Sequence, residues 1–118
     1  MSTIRGWWEE NAHQTQSFFN QILGQSGKAP QFCEAPINKS IVMQHLFAPA
    51  MWSTFQLQDL LGMDADIRRQ NPNDERINVP ANPSHYWQYR MHMTLENLLE
   101  QDSFNSELEA CIASSGRA

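Results

Sequence analysis

The chain has 118 residues, 41% of them apolar and 18% charged, with a net charge of −5. That length supports one ordinary domain with a core, and the acidic balance excludes a phosphate-binding surface, which needs a basic patch. The nearest basic pair, Arg68-Arg69, is surrounded by Asp64, Asp66, Asp74 and Glu75. No run of about eighteen apolar residues is present to span a bilayer. No basic stretch followed by an apolar run opens the chain, so the expected compartment is the cytoplasm.

Thr3 to Leu23 carries Ile4, Trp7, Trp8, Ala12, Phe18, Phe19, Ile22 and Leu23 at the helical period, which predicts one amphipathic helix. Ser2 or Thr3 can cap its start, and Gly24 suits the position just past its end. Residues 25–33 hold Gly27 and Pro30 and read as a loop. Pro36 fits the first turn of a second helix, whose stripe is Ile37, Ile41, Val42, His45 and Leu46 and which Pro49 ends. Ala50 to Leu57 is short, aromatic and partly β-branched, and predicts a strand buried on both faces. Gln58 to Gly62 reads as a helical turn closed by its glycine.

Met63 to Pro83 is polar, contains Pro72, Pro80 and Pro83, and has no useful period. A structureless stretch of that length inside a compact domain is commonly functional or disordered. Thr94 caps a short helix with Leu95, Leu98 and Leu99. Ser103 is placed to cap a last helix carrying Phe104, Leu108, Cys111 and Ile112, and Ser114 to Ala118 reads as a frayed end. The predicted fold class is therefore mostly α with one or two short strands, in a single segment, residues 1–118. Two features suggest that neighbouring structure belongs with it. Paired tryptophans stand at a terminus, where order is usually lowest, and the one strand has no partner. An uncovered edge at Met51 to Phe55 and uncovered faces of Trp7, Trp8 and Trp52 would favour self-association.

The chemistry-bearing residues are sparse. Cys33 and Cys111 leave a single disulfide or two free thiols open, and free, buried thiols in a reducing compartment are the expectation. Neither has an activating context for nucleophilic catalysis. His13, His45, His85 and His92 form no ligand pattern, so no metal is expected. There is no phosphate-binding glycine motif.

Three stretches carry a family resemblance. Met1-Ser2-Thr3 leading to Trp7-Trp8-Glu9-Glu10, Ala48-Pro49-Ala50-Met51 leading to Phe55-Gln56-Leu57-Gln58-Asp59-Leu60-Leu61-Gly62, and Glu75-Arg76-Ile77-Asn78-Val79-Pro80 occur in an order similar to that of the 4-alpha-glucanotransferases of glycoside hydrolase family 77. A later element, Tyr86-Trp87-Gln88-Tyr89-Arg90, resembles that family's Asn-Trp-x-x-Arg run, with His85-Tyr86 departing from it. The Trp-Trp-Glu-Glu form looks most like the subgroup with plant cytosolic and Bacteroidetes-type members.

The resemblance implies the terminal slice of a (β/α)8 barrel: the last helix-strand-helix units followed by C-terminal helices. It implies transfer of alpha-1,4-glucan segments by a retaining mechanism that uses two aspartates and a glutamate, with no metal or organic cofactor. The partners would be a maltooligosaccharide or glucan and the rest of the barrel. By the family order all three carboxylates precede Met1, the nearest by one residue, so no catalytic residue is assigned here and the chain alone is expected to be inactive.

The same resemblance places Asn78 and Arg76 on a loop bordering the sugar cleft. An amide there both donates and accepts, matching vicinal hydroxyls; the bland reading of Asn78 is an Asx turn. Gln58 and Asp59 would support the site from behind, against the alternative that Asp59 merely caps the next helical turn. Tyr86 and Trp87 read better as packing than as a sugar platform. The rival function class is an autonomous helical interaction module.

Overall fold

The computed structural model describes residues 3–72 and 90–117, and among these the fold is all helical. The elements are α1 (Ile4–Glu10), α2 (Ala12–Gln21), α3 (Ala35–Leu46), α4 (Leu57–Leu61), α5 (Leu95–Leu99) and α6 (Asp102–Ser114). Helix α3 is the hub and packs against α1, α4 and α6. Its Ile37 and Ile41 join Trp8 and Cys33 in a core cluster covered by Ile4, Trp7, Phe18, Phe19, Leu23 and Ala29. Its Val42 and Leu46 join Met63 and Cys111 in another, covered by Phe55, Leu60, Leu108 and Ile112. Lys39 of α3 and Glu107 of α6 pair at 2.6 Å on the surface.

The single predicted first helix is two. Asn11 has φ −126° and ψ 52°, outside the helical region. Its Nδ2 donates to the Trp7 carbonyl at 2.8 Å, and its own carbonyl accepts the Thr15 N–H at 2.9 Å. An asparagine side chain that offers the backbone an alternative bond ends one helix and starts the next. Packing requires the break. Trp7 stacks edge-on against Phe18 at 5.9 Å and Trp8 against Phe19 at 6.4 Å. Residues eleven apart in a straight helix stand about 16 Å apart along its axis. The expected Thr3 cap is present, accepting from the Gly6 N–H at 3.1 Å. Gly24 takes φ 68°, and the Gln25 N–H reaches back to the Phe19 carbonyl at 3.0 Å, closing α2.

The predicted strand at Ala50 to Leu57 is absent: residues 52–56 have no regular secondary structure, and no strand exists among the described residues. A strand is held by a ladder to a neighbour, and no extended partner run lies among those residues. Burial on both faces also fails, because Met51 is 88% and Trp52 79% exposed. Trp52 is uncovered as expected. Trp8 is not: it is buried, and its Nε1 donates to the Pro30 carbonyl at 2.8 Å.

Helix α6 starts one residue before the expected Ser103 cap, with Gln101 in the cap position. Asn105 Nδ2 there donates to the Leu98 carbonyl at 3.0 Å and ties α6 to the end of α5. The tail is anchored rather than frayed. After Gly116 at φ 78°, Arg117 donates to the carbonyls of Leu46 (2.7 Å), Ala48 (3.0 Å), Ala50 (2.9 Å) and Met51 (3.4 Å). Its guanidinium fork thereby satisfies the open C-terminal end of α3 and the loop beyond it. Both cysteines are free and buried.

Candidate functional site

Asp59 lies in the first turn of α4, but it does not cap that helix, whose N-cap is Gln56. Its Oδ1 accepts the backbone N–H of Ile4, the first residue of α1, at 2.8 Å. The start of α1 is thus closed twice, by Thr3 on Gly6 and by Asp59 on Ile4. An anionic acceptor suits a helix N-terminus. Burial pushes the Asp59 carboxyl above the ordinary carboxylate range, while the Ile4 N–H and the charge of His45 pull the other way.

Behind Asp59 stands Asn38, which the sequence reading passed over. It is fully buried on α3, and its Nδ2 donates to the Asp59 carbonyl at 2.7 Å. Its Oδ1 has no hydrogen-bond partner among the described residues and presses on Gly62, where an added Cβ would stand 2.8 Å away. Gly62 is required there by space, since its φ of −63° is ordinary. Gln58 is buried beside this point, and its carbonyl accepts the Gly62 N–H at 3.0 Å.

Two clefts open beside this group, of about 580 and 270 Å³. Ile4, His45 and Asp59 line both; Thr3, Trp7, Phe18 and Ile41 complete the larger and Thr54, Phe55 and Gln56 the smaller. His45 donates from Nδ1 to the Ile41 carbonyl at 2.9 Å and stacks edge-on with Phe55. His45 itself is exposed, unlike the rest of its predicted stripe. The smaller cleft sets the Asp59 carboxyl beside Thr54 and Gln56, with the Phe55 ring in its wall.

Arg5 is buried and donates to the carbonyls of Arg69 (2.6 Å) and Gln70 (3.0 Å), fixing the chain as it leaves towards residue 73. Arg68 reaches the Cys33 carbonyl at 2.8 Å. The returning chain is held at the same place: Arg69 donates to the Arg90 carbonyl, and His92 Nε2 to the Ile67 carbonyl, each at 2.5 Å. Residues 67–70 and 90–92 are therefore held together beside the start of α1. Arg76 and Asn78 lie outside the described residues, as do Tyr86 and Trp87. Of the sequence-predicted site residues, the structure brings together Gln58 and Asp59.

Burial pushes the Cys33 thiol up to about 12 against the opposing pull of Arg68 and Arg5, which leaves it inert as a nucleophile. No cluster of three potential metal ligands occurs among the described residues. Nor, among them, is any helix long and apolar enough to cross a membrane.

Residues 1–95 match the sequence profile of glycoside hydrolase family 77, 4-alpha-glucanotransferase, and the chain belongs to that family. It is 38% identical over 99% of its length to the 4-alpha-glucanotransferase DPE2 of Oryza sativa subsp. japonica, of which it spans 12%. It is 28% identical over 92% of its length to the 4-alpha-glucanotransferase of Chlamydia trachomatis, spanning 20% of that protein. With that of Aquifex aeolicus it shares 27% identity over 75% of its length, spanning 16%. No solved structure matches the chain at a significant level.

Proposed function

We propose that this chain is the C-terminal part of the catalytic barrel of a cytoplasmic 4-alpha-glucanotransferase. The whole protein moves alpha-1,4-glucan segments between maltooligosaccharides or glucans. The observation that carries the reading is 38% identity to the rice enzyme over an alignment that covers 99% of the chain. The proposed mechanism is retaining, with the nucleophile, the acid-base glutamate and the stabilising aspartate all upstream of Met1, and with a glucan acceptor in place of water. No metal or organic cofactor takes part.

In this reading Asn78 and Arg76 border the glucan, and Gln58 and Asp59 hold the neighbouring backbone. Two geometric facts support that assignment. Asp59 fixes the start of α1 through Ile4. Arg5, Arg69 and His92 hold residues 67–70 and 90–92 together beside it. A solvent-exposed Trp52 and an unladdered stretch at 52–56 suit a slice that completes its packing against the rest of a barrel.

The test is disproportionation of maltotriose by the full-length protein. The expected products are glucose and maltooligosaccharides longer than the substrate. Hydrolysis without chain extension, or no reaction on any maltooligosaccharide, would reject the reading.

A further inference from the structure

We propose that Asn38 is a positioning residue of the transfer reaction: through Asp59 it fixes the first turn of α1, and with it the wall that Ile4 and Asp59 give to both clefts. The inference rests on the glucanotransferase reading above.

Two short hydrogen bonds in series connect three helices. Asn38 Nδ2 donates to the Asp59 carbonyl at 2.7 Å, and Asp59 Oδ1 accepts the Ile4 N–H at 2.8 Å. The amide orientation is fixed, because a carbonyl can only accept. The Asp59 carbonyl is one of those at the end of a five-residue helix that lack an intrahelical partner. The Met63 N–H bonds instead to the Leu60 carbonyl, at 3.2 Å. Asn38 supplies the missing donor.

The contact is also sterically tight. A fully buried amide stands against Gly62, with its Oδ1 unpaired among the described residues. An apolar side chain would fill the same volume on α3 without that cost. A buried polar group whose oxygen has no partner among the described residues, placed to hold one carbonyl, suits positioning better than stability. Asp59 has little freedom between Asn38 on its main chain and Ile4 on its side chain. A shift of Asn38 is therefore passed to Asp59 and Ile4, both of which line the two clefts beside the start of α1.

The experiment uses the full-length protein and three variants. Asn38→Ala removes the donor and opens a void. Asn38→Asp keeps the shape but sets an oxygen against the Asp59 carbonyl. Asn38→Ala with Gly62→Ala refills the void with a methyl group and still lacks the donor. Each is assayed for kcat and KM on maltotriose, with hydrogen exchange of the peptide covering residues 1–10 followed by mass spectrometry.

The expected result is a fall in kcat of about ten- to a hundred-fold in all three, since a misplacement near 1 Å costs on that order. KM should stay within about twofold, because uniform binding is untouched. Exchange in residues 1–10 should be faster in each. Recovery of wild-type kcat in the double variant would overturn the proposal, because it would make Asn38 a space-filler. So would loss of folded protein in all three, or unchanged exchange in residues 1–10. An inactive wild-type protein would instead reject the glucanotransferase reading, and the catalytic half of this proposal with it; exchange would still report whether Asn38 holds α1.

Discussion

Asp59 closes the first turn of α1 from 55 positions away, its Oδ1 accepting the Ile4 N–H at 2.8 Å. A contact so distant in sequence makes the start of the first helix dependent on the order of α4. The same residue takes the Asn38 amide on its carbonyl, so α1, α3 and α4 meet at one backbone position.

Asp59→Ala should leave the Ile4 N–H without an acceptor and cost about 1–2 kcal/mol, the usual loss for a removed cap. Asp59→Asn keeps an oxygen for that bond and should cost much less. The pH dependence of the two proteins should differ. Burial raises the Asp59 carboxyl above its ordinary 3.8 in the folded state. The folded form then holds the proton more tightly than the unfolded form, so the Asp59 contribution to stability falls as pH rises from near 3.8 through the folded value, and levels off above it. Denaturation midpoints of wild type and Asp59→Asn, compared across acidic pH, should show the wild type losing ground in that window. A wild-type advantage that grows with pH would contradict the assignment.

Cys33 should be silent to a thiol reagent such as DTNB at about pH 8 in the native protein and react fully once the protein is unfolded. Only the thiolate attacks, and burial holds this thiol up to about 12. The folded state keeps its proton where the unfolded state has lost it, so stability should fall as pH climbs above the ordinary thiol value of 9.0. Cys33→Ser, with a hydroxyl that ionises at neither pH, should lose that alkaline slope. Rapid modification of native Cys33 would show that the cluster around Trp8 opens readily.

Arg117→Lys should release the loop between α3 and residue 52 although the charge is kept. The wild-type guanidinium donates to four carbonyls, those of Leu46, Ala48, Ala50 and Met51. An ammonium point charge cannot span them. Loss of several charged hydrogen bonds at a half-exposed site corresponds to about 1–3 kcal/mol. Faster proteolysis or hydrogen exchange within residues 46–52 is the readout, and wild-type protection there would make the Arg117 contacts dispensable.

How much of this could be read from sequence follows from which forces are local. Helix α3, the Thr3 and Thr94 caps, the Gly24 stop and the α4 turn were legible, because period, capping and glycine chemistry act over a few residues. The break at Asn11 was not, since it answers to Trp7 on Phe18 and Trp8 on Phe19 across the turn. The strand at Ala50 to Leu57 fails for the converse reason: its composition suits a strand, but a ladder needs a second one. Asp59 was singled out on a family resemblance, yet its actual partner is 55 residues away and has no local signature. Asn38, Arg5 and Arg117 were missed for the same reason. The available hint was a polar residue on the buried stripe: Asn38 is four positions before Val42 and Arg5 three before Trp8, both inward-facing.

The isolated 118-residue chain should self-associate. Met51 and Trp52 are exposed side by side, Phe47 lies just before them, and Leu95 and Leu99 project from α5. Exposed apolar side chains of that size recruit a partner. Sedimentation should show species larger than monomer that increase with concentration. The two-residue change Met51→Ser with Trp52→Ser should reduce them, and a monomer at high concentration with a sharp, high-temperature transition would count against the idea.

Asn78→Ala in the full-length protein should weaken transfer while the fold is retained. The change removes one donor and one acceptor and leaves Pro80 and Pro83 in place. One or two hydrogen bonds to a neutral sugar amount to about 1–3 kcal/mol at most, or roughly a five- to hundred-fold loss in kcat/KM on maltotriose. The thermal melt should match wild type, which separates this residue from Asp59, whose alanine variant should lose activity and stability together. A wild-type kcat/KM for Asn78→Ala would remove the residue from the glucan cleft. The isolated 118-residue chain is the matching control: measurable transfer by it would mean that a reacting carboxylate lies within these residues, against the assignment of all three upstream of Met1.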